Sequence, residues 1–401
     1  MGSGPVATAP HPEHRLEDAY PAFSCPAPEH VATLDALVPV VVREYGAGVC
    51  AAFVGRHGAR IAAASRSLIE YLGTWFVEPS VVAEGGWDYG FGNLYRSHSA
   101  DAADHAWCCA VIAGQLGAAG LGGRWSASFE RPGRLRWGRW LLPRATRLEV
   151  EGSGDAARIA YDGPDGPGEV RLARQDGEWR STAGDEQRRV ARHGVAFDLL
   201  AREAIDLVDF REFDGRVVPA VEPRMVPVFH DALDIIRSYT PEYVPWVARV
   251  LHQVFLLQPT GERVESGSVE NYLGLVHLSE HPEPLPVAEL LVHEASHQYM
   301  NVVRKVEPLD DGSDSRTYWS PPVSANRPIA KIIAALHAFG NVQLFYRLCA
   351  ARGLPNRAEC ERQEKIMQDW LDVLVPPTLD NPAMTASGNA LCRPILRTLA
   401  R

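Results

Sequence analysis

The sequence predicts an α+β protein, mainly helical, in which a small antiparallel β meander in the middle of the chain separates a helical N-terminal region from a larger helical C-terminal domain. Three observations carry that expectation. Apolar residues recur at helical spacing on both flanks of the chain. In the centre, apolar and charged residues alternate between Gly-Asp-Pro turns. Within the apolar stretch Val287 to Val303 lies one His-Glu-x-x-His pentad: His293, Glu294, Ala295, Ser296, His297.

In chain order, residues 1–135 read as a helical region, with Val31, Leu34, Leu37 and Val38, then Ile61, Ile69 and Tyr71, on helical spacing. Residues 136–185 read as the meander, from the alternating pairs Leu148 and Val150, Ile159 and Tyr161, Val170 and Leu172. Helical periodicity returns near Val195, so residues 186–401 form a mainly helical domain. Its clearest segments are Phe229 to Tyr239, Val244 to Leu257, Val287 to Val303, Pro328 to Ala351 and Glu361 to Val373. One or two short strands fall between Glu265 and Leu278. Pro282, Pro284 and Pro286 punctuate the approach to the pentad helix, because proline fits the first helical turn and not the interior. Glu307 to Asp314 forms an acidic exit loop.

Composition narrows the function classes. The 401 residues, 46% hydrophobic and 8% aromatic, supply enough apolar surface for buried cores. With 40 basic and 50 acidic residues the formal charge is −10, which argues against a protein that tracks phosphates and against docking on an anionic membrane. A small molecule or a neutral to basic peptide is the expected partner. The seven cysteines, Cys25, Cys50, Cys108, Cys109, Cys349, Cys360 and Cys392, show no CxxC pair, the pattern of reduced thiols in the cytoplasm. Early residues carry Pro5, Pro10 and Pro12 in place of a basic-then-apolar leader, so no signal peptide is expected. The longest uncharged run, Ala106 to Gly123, holds five glycines and Gln115, and reads as a packed helix followed by a Gly-rich loop, not a membrane span.

Residues four apart on a helix share a face, so His293 and His297 can grip one metal ion with Glu294 beside it. That makes the last region a metal-binding catalytic domain. Catalytic zinc or iron needs a further protein ligand while keeping positions open. The long metzincin form is excluded, since Met300 and Val303 stand where its Gly and third His belong. Glu307 follows His297 too closely to fold back, and Asp310, Asp311 and Asp314 fall in a turn-like loop. The better candidate is His337, inside the apolar helix Lys331 to Leu348, where an unpaired imidazole is costly. Its competing reading is a core histidine hydrogen-bonded to backbone. Glu294 is the general base if the enzyme is a hydrolase using zinc, and a substrate-orienting group if it is an oxygenase.

Three stretches around the pentad resemble the HExxH peptide-modification family, enzymes encoded beside ribosomally made peptide natural products. They are Ser266-Gly-Ser-Val-Glu-Asn-Tyr-Leu-Gly-Leu-Val-His-Leu-Ser279, Leu290-Leu-Val-His-Glu-Ala-Ser-His297, and Tyr318-Trp-Ser-Pro321 with Asn326-Arg-Pro328 and Leu336-His-Ala-Phe339. The resemblance covers roughly Val228 to Gly353. It implies an Fe(II)- and 2-oxoglutarate-dependent hydroxylase acting at a β-carbon of a peptide substrate, a ribosomal precursor peptide, with the iron held by His293, His297 and His337. Such a site needs a cation for the distal carboxylate of 2-oxoglutarate. Arg327, before Pro328 at a helix start, is the candidate, with Lys331 the substitute. The chain departs from its relatives at Pro322 and Val323, where a Trp-Arg pair is usual, and at Ala295-Ser296, changes that would retune the pocket without moving the metal.

Other groupings read as structural. His98, Asp101, Asp104 and His105 suggest a solvated helix face more than a second metal site. Gly114 to Gly123 lacks the strand-then-GxGxxG order of a dinucleotide site and reads as loop or close packing. Trp137, Trp140 and Trp179 are expected as core or edge fillers, and Cys108-Cys109 as buried small hydrophobes.

Overall fold

The computed structural model describes residues 19–77, 87–97, 105–204, 213, 215–260 and 264–401. The chain is α+β, with an antiparallel sheet in its middle. It opens with a 3-10 turn, Tyr20–Phe23, and the long helix α1, Val31–Ala64. Leu34, Val38, Val42, Gly46, Cys50, Phe53, His57 and Ile61 form a buried stripe along α1, three to four residues apart throughout. The first half of that stripe packs into the core around the pentad, and the second half into the core of the meander. Helices α2 (Arg66–Val77), α3 (Tyr89–Ser97) and α4 (His105–Ala119) follow. Among the described residues two helices are long and apolar enough to cross a bilayer, Pro28–Ala64 and Ile329–Ala351, and the second is a mostly buried core helix.

The meander consists of β1 (Gly123–Trp137), β2 (Trp140–Ser153), β3 (Ala156–Gly163), β4 (Gly166–Gln175) and β5 (Glu178–Ser181), each antiparallel to the next. The short β6 (Asp185–Glu186) pairs with the start of β2. It begins at Gly123, well before Arg136, inside the expected Gly-rich loop. The alternation Trp125, Ala127, Phe129 is genuine, but pairing slips between Ser128 and Gly133, which blurs the pattern where the strand continues. Gly114 and Gly117 stay within α4, where a Cβ at Gly117 would collide with the Trp137 ring, so these glycines serve close packing.

The C-terminal region contains a second sheet that periodicity alone missed. Its order is β10 (Ser266–Ser268), β11 (Leu275–Ser279), β9 (Gln253–Leu257), β8 (Val195–Leu200), β7 (Arg188–Arg192), with the inner pairings parallel and both outer ones antiparallel. The helical reading from Val195 is therefore corrected to a strand, and that of Val244 to Leu257 to helix α6, Tyr243–Val250, followed by β9. The reason is burial on both faces: every residue of β9 is buried, so it reads as a continuous apolar run that periodicity cannot tell from a buried helix. The expectation of short strands between Glu265 and Leu278 matches β10 and β11.

Against this sheet pack α5 (Met225–Tyr239), α6 and the pentad helix α7 (Pro284–Arg304). The hairpin β12 (Thr317–Ser320) and β13 (Ala325–Pro328) then leads into α8 (Ile329–Ala351), α9 (Arg357–Leu374) and α10 (Ala386–Leu399). Helix α8 is apolar on nearly every side and correspondingly buried.

Candidate functional site

Helix α7 presents its side chains to distinct surroundings at four-residue spacing. His293 and His297 form one stripe. Their rings meet edge to face with centroids 4.7 Å apart, and both are partly open to solvent. Burial among apolar neighbours pulls His293 down to about 4, with His337 adding to the effect. His297 is held well below its ordinary value by burial and then by His293, His337 and Lys331. Both imidazoles are therefore neutral at pH 7, the form that offers a lone pair to a metal. Phe339 of α8 stands 4.7 Å from the His293 ring and 4.9 Å from Trp370 of α9, an apolar wall beside the pair.

Glu294 and Gln298 form the adjacent stripe, aimed at the sheet. Gln298 accepts from the backbone N–H of Gly274 at 3.0 Å and donates to the carbonyl of Leu275 at 2.9 Å, fixing the rotation of α7 against β11. Glu294 is fully buried. Its carboxyl is pushed up to about 7 by burial, opposed by Ser266 and Ser268 of the edge strand β10. Oε1 lies 3.9 Å from His293 Nε2, and neither carboxylate oxygen closes a hydrogen bond among the described residues. A buried carboxylate served by two serine hydroxyls that fall short of full hydrogen-bond geometry is costly until a proton or cation joins it. The two neutral imidazoles offer lone pairs of the kind a divalent metal takes, and Glu294, turned toward β10, does not complete a three-ligand group with them. Close approach of β10 depends on Gly267, where a Cβ would lie 2.6 Å from the His277 ring across the strand pair.

His337 stands apart from the pair. Its ring is fully buried, and Nε2 faces the backbone carbonyls of Ser24 at 2.8 Å and Phe23 at 3.0 Å. Nε2 therefore carries the proton and donates it to the N-terminal segment. Among the described residues no three His, Cys, Asp or Glu side chains form a group able to hold a metal ion, so His293, His297 and His337 do not assemble as a triad. Helix geometry gives the reason. The groove-facing positions of α8 are Lys331, Ala335 and Phe339, and His337 lies about 200° round the helix from its neighbours two residues away. The competing reading, a core histidine bonded to backbone, is the one the geometry satisfies, although Nδ1 has no partner among the described residues.

The cation placement is also sharper than sequence allowed. Lys331 acts directly on His297, while Arg327, half-buried in β13, stands one step further out and acts on Lys331. Ala295 and Ser296 do not line the groove: both are fully buried, and Ser296 Oγ donates to the carbonyl of Val292 at 2.8 Å. Pro322 and Val323 belong to the turn of the β12–β13 hairpin. Sequence reasoning passed over Phe339, Trp370, Ser266 and Ser268 as site residues. Ser266, Ser268 and Phe339 sit inside the stretches that carry the family resemblance, whereas nothing local marks Trp370.

Of the remaining groupings, His98, Asp101 and Asp104 lie outside the described residues. His105 is buried and stacks on His57 with centroids 4.0 Å apart, not on a solvated face. Trp137 and Trp179 meet edge to face at 5.7 Å in the meander core, and Trp140 Nε1 donates to the Trp179 carbonyl at 2.8 Å, as fillers do. None of the seven cysteines forms a disulfide, and all but Cys108 are buried. Compared with known proteins, the chain matches no family model and no curated protein.

Proposed function

We propose that the chain is a cytoplasmic Fe(II)- and 2-oxoglutarate-dependent oxygenase that hydroxylates, at a β-carbon, a residue of a peptide or carrier-bound substrate in natural-product biosynthesis. The supporting observation is the pair of neutral, partly open imidazoles of His293 and His297, with the cation Lys331 acting on His297 and, among the described residues, no group of three ligating side chains. Two protein nitrogens leave coordination positions for a cosubstrate that chelates through two oxygens. When bound, iron would supply oxidation of a C–H bond by O₂, coupled to conversion of 2-oxoglutarate to succinate and CO₂.

The chain's own residues have separate tasks in this reading. His293 and His297 hold the metal, Lys331 takes the distal carboxylate of 2-oxoglutarate, and Arg327 reinforces that positive field. Phe339 and Trp370 keep water from one side. Among the described residues β10 pairs only with β11, so its outer edge offers backbone groups to an extended precursor peptide. Anaerobically purified protein given Fe(II), 2-oxoglutarate, O₂ and the short peptides encoded beside its gene should form succinate and a peptide heavier by one oxygen atom. Absence of succinate with every such peptide overturns the reading.

A zinc hydrolase is the second reading, favoured by Glu294: a buried carboxyl pushed up to about 7 beside His293 is poised to take a proton from an attacking water near neutral pH. Stoichiometric zinc, peptide cleavage lost in Glu294→Gln, and indifference to 2-oxoglutarate would establish it over the first.

A further inference from the structure

A second site lies where the two sheets meet, sharing no lining residue with the pentad groove. It is a cavity of about 600 Å³ lined by Arg136, Arg139, Arg174, Arg189, Asp88, Glu178 and Asp198, together with Trp87, Trp179 and His252. That volume falls in the range of small-molecule pockets. Most of its polar groups are spoken for. Asp88 pairs with Arg136 and accepts from Gln253 Nε2 at 3.2 Å, and Arg139 pairs with Glu186 at 2.6 Å and Glu178 at 3.4 Å. Arg174 donates to the Ala118 carbonyl at 3.1 Å and lies over the Trp179 ring.

Two buried atoms are left over. Arg136, only 2% exposed, has no partner for its Nε–H among the described residues, and Asp198 has none for Oδ1. Asp198 lies within the fields of Arg136, Arg189 and Arg139 yet closes no hydrogen bond with them. Arg189 is held only loosely, 3.9 Å from Glu178. Both residues line the cavity, and an unmatched acceptor and an unmatched donor at its wall suit a guest that carries both complements. An anion alone would answer Arg136 and Arg189 and be repelled by Asp198; a cation alone would do the reverse. Four arginines face three carboxylates in the lining, and the pairing of Arg139 with Glu186 brings the balance to four against four, which suits a guest of no net charge. The flat faces of Trp87, stacked on His252 with centroids 4.4 Å apart, and of Trp179 offer apolar contact beside the polar groups.

We propose that this cavity binds a small zwitterion of the α-amino-acid class, its ammonium on Asp198 and its carboxylate between Arg136 and Arg189. The full-length protein is titrated calorimetrically with the standard α-amino acids, with the 2-hydroxy acid and the amide corresponding to the best binder, and with inorganic phosphate. At least one amino acid should saturate one site with a Kd below about 1 mM. Both analogues should bind at least about tenfold more weakly, as should the Asp198→Asn and Arg189→Gln variants. Arg189 lies at the rim, with 36% of its side chain exposed, so its variant reports even if Asp198→Asn fails to fold. No heat from any amino acid, binding unchanged in Arg189→Gln, or phosphate bound as tightly as the best amino acid would each overturn the proposal.

Discussion

The two sides of the α7–α8 helix pair treat their histidines in opposite ways. On the groove side, His293 and His297 are partly open, neutral and, among the described residues, without a hydrogen-bond partner that consumes their nitrogens, and the carboxylate beside them is buried with only Ser266 and Ser268 to oppose its rise. On the far side His337 is sealed under the segment running through Phe23 and Ser24, its Nε2 spent on two carbonyls. Asn341, one turn further on, donates to the same Ser24 carbonyl at 2.9 Å. Three imidazoles on two packed helices thus divide into a pair left available for chemistry and one that staples the Phe23–Ser24 segment to the core. The lesson is that an apolar setting around a histidine does not distinguish ligand from staple. What distinguishes them is which acceptors the rest of the fold brings within reach.

Metal content breaks or sharpens this contrast most directly. His293→Ala and His297→Ala should each abolish retention of a stoichiometric metal, whereas His337→Ala should keep it, as read by elemental analysis after gel filtration. Loss of metal in all three would restore His337 to the ligand set. Stability should show the reverse order. His337→Ala removes a buried ring and its bond to the strap, and should cost about 2–4 kcal/mol in urea unfolding; a cost under about 0.5 kcal/mol would deny the staple.

The pH dependence tests the same point. Burial lowers the folded His337 to about 4, against about 6.5 when unfolded. Between those values the unfolded chain binds the proton first, so the staple's contribution is complete above about pH 6.5 and is lost as pH falls toward 4. In metal-free protein, His337→Gln should flatten this slope by up to about 1.4 kcal/mol per pH unit. A slope identical to wild type would place the titration elsewhere, on His293 and His297, which shift the same way. The smallest effect concerns the cations: Lys331→Ala should raise the 2-oxoglutarate requirement about tenfold and Arg327→Ala by much less, measured as half-saturation of succinate formation. The opposite order would return the carboxylate to Arg327.

Much of this was legible in the chain, though unevenly. The pentad stripe follows from helical spacing, and the meander and the short strands before the pentad from alternation. The parallel strands β8 and β9 were hidden because both their faces are buried, which erases the alternation that marks a strand. Ser266 and Ser268 were visible as residues, but their position beside Glu294 depends on β10 being the edge of a sheet whose other strands lie as far back as Arg188.

By itself the sequence determined which residues share a face, because the helix repeat of 3.6 residues is local: His293 with His297, Glu294 with Gln298, and Lys331 with Ala335 and Phe339. Only the tertiary structure decided what each face meets. It turned Glu294 toward β10, Lys331 toward His297, and His337 toward carbonyls more than three hundred residues away in sequence. A nitrogen's role depends on the acceptors and charges within a few ångströms, and those neighbours come from chain segments whose approach no local spacing encodes.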